Sequence, residues 1–379
     1  MNLFRHTDPG KQKPACPGSR RSFAAACLLF LADMLLMAAA SLIPGAAEWY
    51  WNTLYRPAAS AVSRLTGRIP FSLAEFGLYL LILLFLFSLV RLGVQIRKHR
   101  APGKVLFLWS SHLLLAASIL GFFFMLGGGI NYHRTSFAEK AGISVEPVST
   151  EDLQKICLWL TDEVNARCTL VNRDSDDVMQ LSRPEGPDGA AAMEKLGETW
   201  PDLSGFYPMP KKVCGSVILS RLGLTGIFSA FTIEANYNGD MTPYNIPFTV
   251  CHELSHLKGF MQEEEANFIA FLACIGSGQT DFEYSGYLSA WIYCMNALYD
   301  TDDELWKAVR SVLSPLAEPD LSANNAFWNS YESTLSEVSD QVNDTYLKLN
   351  GQEQGVQSYD RMVELVVAFF KDKIPAEQP

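Results

Sequence analysis

The chain has 379 residues, is 49% hydrophobic and carries a formal net charge of −11. The length allows two domains with a sizeable core. Residues 1–129 hold 13 basic and 4 acidic side chains, whereas residues 130–379 hold 17 and 37. Residues 130–379 are too acidic to bind nucleic acid or anionic lipid, so no nucleic-acid partner is expected.

Three long apolar runs occupy the first third of the chain: Ser22 to Ile43, Phe71 to Val90 and Val105 to Gly129. Each approaches or exceeds the ~20 residues that a helix needs to cross the hydrocarbon core of a bilayer. The first run is longer than the apolar stretch of a signal peptide, about 7–15 residues, which favours a retained anchor. We therefore predict a cytoplasmic tail over residues 1–21 and a three-helix transmembrane region over residues 22–129.

The orientation follows from the lysines and arginines that flank these runs. They are concentrated before the first run and between the second and third: Arg5, Lys11, Lys13, Arg20, Arg21, Arg91, Arg97, Lys98, Arg100 and Lys104. Short loops rich in such residues stay on the cytoplasmic side. We expect a multi-pass protein of the cell membrane, with the lipid bilayer as one partner and residues 130–379 extracytoplasmic.

The extracytoplasmic domain reads as α+β and mostly helical, with a small sheet. Cys214 to Leu219 and Ile227 to Tyr237 are rich in β-branched and aromatic residues, which predicts two short strands that turn near Gly223 to Gly226. After them, Phe248 to Lys258 and Glu263 to Ile275 predict a pair of helices. The cysteines show no CxxC pair, which argues against a cysteine zinc site and leaves disulfide pairing open.

The first helix of this pair carries His252, Glu253 and His256, an HExxH motif. Positions four apart differ by ~40° around a helix, so both imidazoles point to one side. Two such nitrogens can bind one zinc ion at ~2.0–2.1 Å. Glu253 lies on the flank of that face, where it could take a proton from a water on the metal and serve as general base.

A catalytic zinc site needs a third protein ligand and an open position. Gly259 can end the first helix in a left-handed conformation, after which the chain reverses into the acidic cluster that opens the second helix. We prefer Glu263 as third ligand, and interpret Glu264 and Glu265 as favourable partners of the helix dipole. Asn267, one turn on, could hydrogen-bond a ligand imidazole.

Three other stretches have open interpretations. Glu234 and Asn236 either line the cleft or belong to a structural hairpin. Tyr359 is placed to donate a hydrogen bond to the oxyanion of a tetrahedral intermediate, or else marks an ordinary helix start. Arg134, just after the third apolar run, is expected to anchor the chain at the membrane interface.

The HELSH…EEEAN pair resembles gluzincin-type metallopeptidases, and "EANFIAFLA" is similar to the corresponding helix of ImmA/IrrE-type and HtpX/Ste24-type peptidases. In most of those the gap between the last histidine and the glutamate is longer than here. Most of the chain also resembles a bacterial domain-of-unknown-function family of three-span membrane proteins, through "NYHR", "FTIEANYN" and "YLKLNGQEQGVQSYDRMVEL". This resemblance implies a zinc metallopeptidase of unknown substrate with a zincin-like domain.

The sequence thus predicts a membrane-anchored zinc-dependent endopeptidase that hydrolyses peptide bonds by a metal-activated water. Zn²⁺ would be held by His252, His256 and Glu263, with Glu253 and Tyr359 as catalytic residues. The expected substrate is a peptide or a membrane-proximal protein segment. The alternative is a catalytically inactive zinc-binding domain that acts in structure, recognition or envelope signalling. The oligomeric state stays open.

Overall fold

The structure is a computed structural model that describes residues 17–98, 101–350 and 361–374. The helices in this part of the chain are α1 (Pro17–Leu42), α2 (Ala46–Tyr50), α3 (Arg56–Thr66), α4 (Leu73–Lys98), α5 (Pro102–Gly127), α6 (Phe137–Lys140), α7 (Thr150–Cys168), α8 (Glu185–Thr199), α9 (Ser216–Arg221), α10 (Asn245–Leu257), α11 (Glu263–Gly276), α12 (Thr280–Thr301), α13 (Asp303–Arg310), α14 (Glu318–Tyr331), α15 (Thr334–Leu349) and α16 (Met362–Phe370). The strands are β1 (Asn172–Arg173), β2 (Met179–Gln180), β3 (Lys211–Lys212), β4 (Gly226–Ser229) and β5 (Glu234–Tyr237).

The chain divides into two compact units. The first contains residues up to 39 and residues 77–125, and the second contains residues 40–76 and 126–379. The segment between the first two apolar helices therefore packs with the second unit. That segment consists of α2, a π-helical turn at Trp51–Tyr55, and α3.

The first unit is built from the bulk of α1, α4 and α5. These three helices have mean hydropathies of 2.2, 2.4 and 1.9 over their most apolar windows, and each is long enough to cross a membrane. Most of their large apolar side chains are exposed, as a lipid environment requires. The predicted three apolar helices are confirmed and are consistent with a membrane protein.

The second unit is a mostly helical assembly with two small sheets. β5 forms the centre of the larger sheet, with β3 parallel on one side and β4 antiparallel on the other, so β4 is an outer strand of the described sheet. Ile227 lies opposite Asn236 in the β4–β5 register. β1 and β2 form a separate antiparallel pair.

Helix α10 lies in the middle of this unit. It packs against α8, α11 and α12 and against both β4 and β5. Eleven of its thirteen residues are buried, so it is covered on nearly every side and not only along one stripe. The HExxH motif is therefore held by packing on all sides before any metal is considered.

Two local predictions were wrong. Cys214 to Leu219 is not a strand, since α9 covers Ser216–Arg221. The Glu75 carboxylate accepts hydrogen bonds from the backbone N–H groups of Cys214 (2.9 Å) and Gly215 (2.7 Å), which turns the chain immediately before this helix. The predicted turn also lies elsewhere: β4 and β5 both fall inside Ile227 to Tyr237, and the chain reverses between Ser229 and Glu234.

The helical prediction was better. The two helices predicted around the motif, Phe248 to Lys258 and Glu263 to Ile275, appear as α10 and α11. Further along the chain, α14 and α15 are separated at Glu332 and Ser333. Ser333 caps α15, which accounts for the new start.

Candidate metal centre

The ligand atoms of three side chains converge between α10 and α11. The Nε2 atoms of His252 and His256 are 3.0 Å apart. Glu263 Oε2 lies 3.1 Å from Nε2 of His252 and 3.7 Å from Nε2 of His256. All three residues are buried to a large extent, and together they form a group that could hold a metal ion.

The contacts of the two Nδ1 atoms determine which nitrogen of each imidazole faces this group. His252 Nδ1 lies 2.8 Å from Oδ1 of Asn267, and His256 Nδ1 lies 2.8 Å from the backbone oxygen of Phe260. Because an oxygen of this kind accepts a hydrogen bond, each Nδ1 carries the proton and each Nε2 presents its lone pair. The contact between Asn267 and His252 is the one that the sequence predicted.

The charge balance of the group favours a positive ion. Burial lowers the pKa of His256 to about 4, so this imidazole is neutral at neutral pH. Burial also lowers the pKa of His252, but hydrogen bonding to Glu263 and the charge of that carboxylate outweigh it, and the net pKa is raised. The carboxylate thus attracts positive charge to the point where the two lone pairs meet.

The spacing suits a small tetrahedral cation. Bonds of ~2.0–2.2 Å to nitrogen and oxygen place neighbouring ligands roughly 3.3–3.6 Å apart in a tetrahedron. The three observed separations, 3.0, 3.1 and 3.7 Å, bracket that value. Two imidazole nitrogens and one carboxylate oxygen are also a donor set that zinc uses.

The three consecutive glutamates have different partners. Glu263 belongs to the histidine group. Glu264 Oε1 lies 3.5 Å from Nη1 of Arg361, and Glu265 Oε1 accepts a hydrogen bond of 2.5 Å from the backbone N–H of Phe137. All three are buried, so Glu264 and Glu265 are tied to other elements and do not act as exposed partners of the helix dipole.

Glu253 lies beside the group and is 4% exposed. Its Oε2 has no hydrogen-bond partner among the described residues. Burial raises the pKa of Glu253 to about 8; the charge of His252 opposes this shift and that of Glu263 adds to it. The raised pKa makes the ionised carboxylate a stronger base, and its unused oxygen can then accept a proton from a bound molecule.

Strand β4 approaches Glu253 closely because residue 226 is a glycine. A Cβ at Gly226 would lie 2.8 Å from Cγ of Glu253 and 2.9 Å from the backbone oxygen of Asn236. Both distances are below van der Waals contact. The absence of a side chain therefore lets an outer strand run directly along the base of the site.

The short link between the two helices depends on Gly259 and on residues distant in sequence. Gly259 has φ +83°, and its N–H bonds the His256 carbonyl at 2.8 Å. Arg134 Nη1 donates to the carbonyls of Lys258 (3.2 Å) and Gly259 (3.0 Å). A further donor, Trp51 Nε1, bonds the Lys258 carbonyl at 2.8 Å. These contacts allow only six residues to separate His256 from Glu263.

Arg134 is therefore not an interfacial anchor. It is 8% exposed, its guanidinium lies 3.8 Å from the ring centre of Trp51, and it pairs with Glu48 at 3.2 Å. Sequence reasoning missed this role because Arg134 and Lys258 are 124 positions apart. A basic residue next to a hydrophobic helix does not by itself indicate a partner that lies so far along the chain.

The other predicted residues fall in different places. Glu234 is buried against Lys211 and accepts hydrogen bonds from the backbone at the start of α4, at 3.3 and 2.9 Å, so it has a structural role. Asn236 is buried and bonds the Ile227 carbonyl at 3.2 Å. Tyr359 lies outside the described residues. A half-buried phenol that the sequence did not suggest, Tyr346 of α15, lies within electrostatic reach of Glu263.

Comparison with known proteins gives one family. The family model described as "Protein of unknown function (DUF3810)" matches residues 50–367, which include every residue of the candidate metal centre. No curated protein gives a significant match to the chain. No solved structure does so either.

Proposed function

The chain belongs to the DUF3810 family, and for it we propose the function of a membrane-anchored zinc-dependent endopeptidase. The observation that carries this proposal is the meeting of two imidazole lone pairs and one carboxylate oxygen within 3.0–3.7 Å of one another. Both Nδ1 atoms are engaged elsewhere, so a cation is the natural occupant of the point between the Nε2 atoms.

His252, His256 and Glu263 would hold Zn²⁺, which supplies Lewis acidity when bound. Glu253 accepts the proton of the attacking water at Oε2 and then returns it to the amine nitrogen of the leaving product. Its burial and its unused oxygen support this role. Asn267 and the Phe260 carbonyl hold the two imidazoles in the orientation that the metal needs.

The substrate that the site suits best is an extended peptide or a membrane-proximal protein segment. β4 is an outer strand beside Glu253, and an added strand could pair with its free edge through backbone hydrogen bonds. The resemblance of HELSH…EEEAN to gluzincin-type peptidases supports peptide hydrolysis. We also propose that α1, α4 and α5 anchor the chain with its N-terminus in the cytoplasm and residues 130–379 outside, as the basic flanks indicate.

One observation favours a second candidate, an inactive zinc-binding domain. The side chains of His252, His256 and Glu263 are only 12%, 7% and 11% exposed. Such low exposure leaves little room for a substrate to reach the metal, which would suit a zinc ion with a structural role. The two candidates differ in whether Glu253 is needed once the metal is bound.

The experiment compares metal content and hydrolysis in the full-length protein and three variants. We expect about one zinc per chain in the wild type, in Glu253→Gln and in His133→Ala, and loss of zinc in His252→Ala. Hydrolysis of a peptide library should be lost in Glu253→Gln, by a factor of roughly 10²–10⁴, the contribution typical of a general base. His133→Ala is the matched control, because it removes an imidazole outside the site.

Three results would reject the proposal. Unchanged zinc content in His252→Ala would show that the metal is bound elsewhere or not at all. A full zinc content without hydrolysis in the wild type would favour the inactive zinc-binding domain, and equal hydrolysis in Glu253→Gln and the wild type would show that Glu253 is not the general base.

A further inference from the structure

Three cationic side chains are buried in the described part of the second unit, and one of them has no counter-ion there. Arg134, Lys211 and Lys258 are 8%, 6% and 8% exposed. Arg134 lies 3.2 Å from Glu48 and 3.6 Å from Asp202, and Lys211 pairs with a glutamate of β5. Among the described residues, no carboxylate comes within ion-pair distance of Lys258. A buried charge without a partner is costly, so this exception calls for an explanation.

The neutral contacts of Lys258 compensate its charge only in part. Its Nζ donates to the backbone carbonyls of Ser204 and Phe206, both at 3.1 Å, and lies 3.9 Å from the ring centre of Tyr207. Two carbonyls use two of the three ammonium hydrogens. One hydrogen therefore remains for a further acceptor.

Lys258 borders a cavity of about 80 Å³ that contains a second cation, Arg56. Arg56 Nη2 donates to Ser204 Oγ at 2.6 Å, whereas its Nε and Nη1 donate to no group in the described part of the chain. The remaining walls are largely aromatic or apolar: Trp51, Tyr55, Ala59, Phe206 and Leu257. No acidic residue is found among the described residues that line the cavity.

Positive charges outnumber negative ones around Lys258. Arg56 and Arg64 both act on Lys258 by repulsion, whereas Glu194, which is exposed, attracts it. A positive cavity is unexpected in a part of the chain with a large acidic excess. A bound anion would relieve the repulsion between its cations.

We propose that this cavity binds a phosphate group, held by Lys258 and Arg56. Guanidinium and ammonium groups are the side chains that recognise phosphate oxygens. The phosphate could belong to free inorganic phosphate or to a lipid headgroup. This site is separate from the metal group, and its test does not require zinc or hydrolysis.

The experiment measures the thermal midpoint of the full-length protein as phosphate is added. In detergent, inorganic phosphate should raise the wild-type midpoint in a saturable way, since a ligand that binds only the folded state stabilises it. Sodium chloride at matched ionic strength controls for screening. Arg56→Gln should weaken the apparent phosphate affinity about tenfold or more, because it removes a charged hydrogen-bond donor.

Lys258→Met is the second variant and Arg64→Gln is the matched control. The methionine keeps the apolar stem, and we expect it to abolish the phosphate response. Arg64 lies 4.2 Å from the ring centre of Phe206 and outside the cavity lining, so its variant should respond almost as the wild type does. Zinc content is measured in each variant, so that a disturbed metal group is recognised.

A second arm identifies the source of the phosphate. The protein is placed, in phosphate-free buffer, in nanodiscs of phosphatidylcholine alone or with phosphatidic acid. A higher midpoint with phosphatidic acid, lost in Arg56→Gln, would assign a lipid headgroup. A response to inorganic phosphate that is equal in both nanodiscs would assign the free ion. The proposal is wrong if chloride matches phosphate, or if Arg56→Gln and Lys258→Met respond as the wild type does in every arm.

Discussion

The two imidazoles of the metal group are oriented by oxygens of different kinds. Phe260 offers a backbone carbonyl, which no substitution removes, whereas Asn267 offers a side-chain oxygen. Only the hydrogen bond between His252 and Asn267 can be removed by a substitution. Its removal therefore measures how much this bond contributes to metal affinity.

We predict that Asn267→Ala lowers zinc affinity 10- to 100-fold, the usual effect of removing such a partner. Without Oδ1, the ring of His252 can rotate and the Nδ1 proton is no longer fixed. The measurement is competition with a chromophoric chelator in the full-length protein. Asn324→Ala serves as the control, because that amide bonds Asn245 and Trp328 outside the metal group. Equal affinity in Asn267→Ala and the wild type would contradict the prediction.

A second prediction concerns Gly226, whose missing side chain leaves room for Glu253. In Gly226→Ala the new methyl group must displace either the carboxylate or the backbone oxygen of Asn236, which would lie 2.9 Å away. The carboxylate side chain is the more flexible of the two. We expect hydrolysis to fall at least about tenfold, since a shift near 1 Å is enough for that, while zinc content stays unchanged.

Gly276→Ala is the matched control for this substitution. A Cβ at Gly276 meets nothing within 4 Å, and its φ is not positive. The activity of this variant should equal that of the wild type. If Gly226→Ala is also fully active, β4 does not constrain Glu253.

At this scale the sequence predicted what helical spacing determines. Helical spacing on α10 places His252 and His256 on one face, with Glu253 beside them. On α11 it places Asn267 one turn after Glu263, within reach of an imidazole. The preference for Glu263 agrees with its place in the histidine group. The partners of Glu264 and Glu265 did not follow, because Arg361 and Phe137 are 97 and 128 positions away. No local pattern encodes such contacts.

Among the elements, the reversal between α10 and α11 is the most constrained. Gly259 adopts φ +83°, and a Cβ there would lie 2.9 Å from Trp51 Cδ1 and 3.0 Å from Arg134 Nη1. We predict that Gly259→Ala lowers the free energy of unfolding by roughly 2 kcal/mol or more, from backbone strain and steric conflict together. Zinc binding should weaken as well, since the link sets the distance from His256 to Glu263.

The substitution Gly142→Ala separates the cost of backbone strain from the cost of steric conflict. Gly142 has φ +67°, but a Cβ there meets nothing within 4 Å. Gly142→Ala should therefore cost only the backbone term, about 1 kcal/mol. Chemical denaturation of both variants gives the comparison. An equal loss in the two would mean that Trp51 and Arg134 yield to the added methyl group without cost.

A pH-dependent link joins α13 to α14. Arg310 at the end of α13 donates to both carboxylate oxygens of Glu318, at 2.5 and 2.7 Å. This hydrogen bonding lowers the pKa of Glu318, so its stabilising contribution is full above the unfolded value of 4.5 and is lost as the pH falls through the lowered pKa.

We predict that Glu318→Gln reduces the free energy of unfolding at pH 7 by less than ~1 kcal/mol, because the pair is partly exposed to solvent. The difference from the wild type should vanish in acid. Urea denaturation at pH 7 and below pH 4 makes the comparison. A deficit of the same size at both pH values would rule out an ionic contribution.

For the elements, periodicity predicted the helices that pack along one face and failed where a distant residue redirects the chain. Cys214 to Leu219 has the composition of a strand, yet the carboxylate of Glu75 bonds the preceding backbone and α9 follows. Ser216, Leu219 and Ser220 are buried at helical spacing, but they are too few to outweigh β-branched composition in a sequence-based prediction.

For the whole molecule, the most informative feature is that residues 40–76 pack with residues 126–379. Division of the sequence by hydropathy assigns this segment to the transmembrane region. Trp51 and Tyr55, however, are 1% and 3% exposed, in the same core as α10. Hydropathy marks which helices are apolar, but it does not show where the connecting segments pack.

This arrangement leads to a prediction about truncation. A fragment of residues 130–379 lacks Trp51 Nε1 and Tyr55 Oη, which bond the carbonyls of Lys258 (2.8 Å) and Leu257 (3.1 Å) at the end of α10. It also exposes the surface that these rings cover, and loss of one buried tryptophan alone costs about 3–5 kcal/mol. Because total stabilities are about 5–15 kcal/mol, we expect the fragment to unfold without a cooperative transition and to hold less than one zinc per chain.

Residues 40–76 joined through a flexible linker to residues 126–379 should recover both properties, as judged by circular dichroism and metal analysis. In that fusion, Trp51→Ala should lower the unfolding free energy by the same 3–5 kcal/mol. A fragment of residues 130–379 that folds and binds zinc as well as the fusion would show that the segment between the first two apolar helices does not stabilise the metal group.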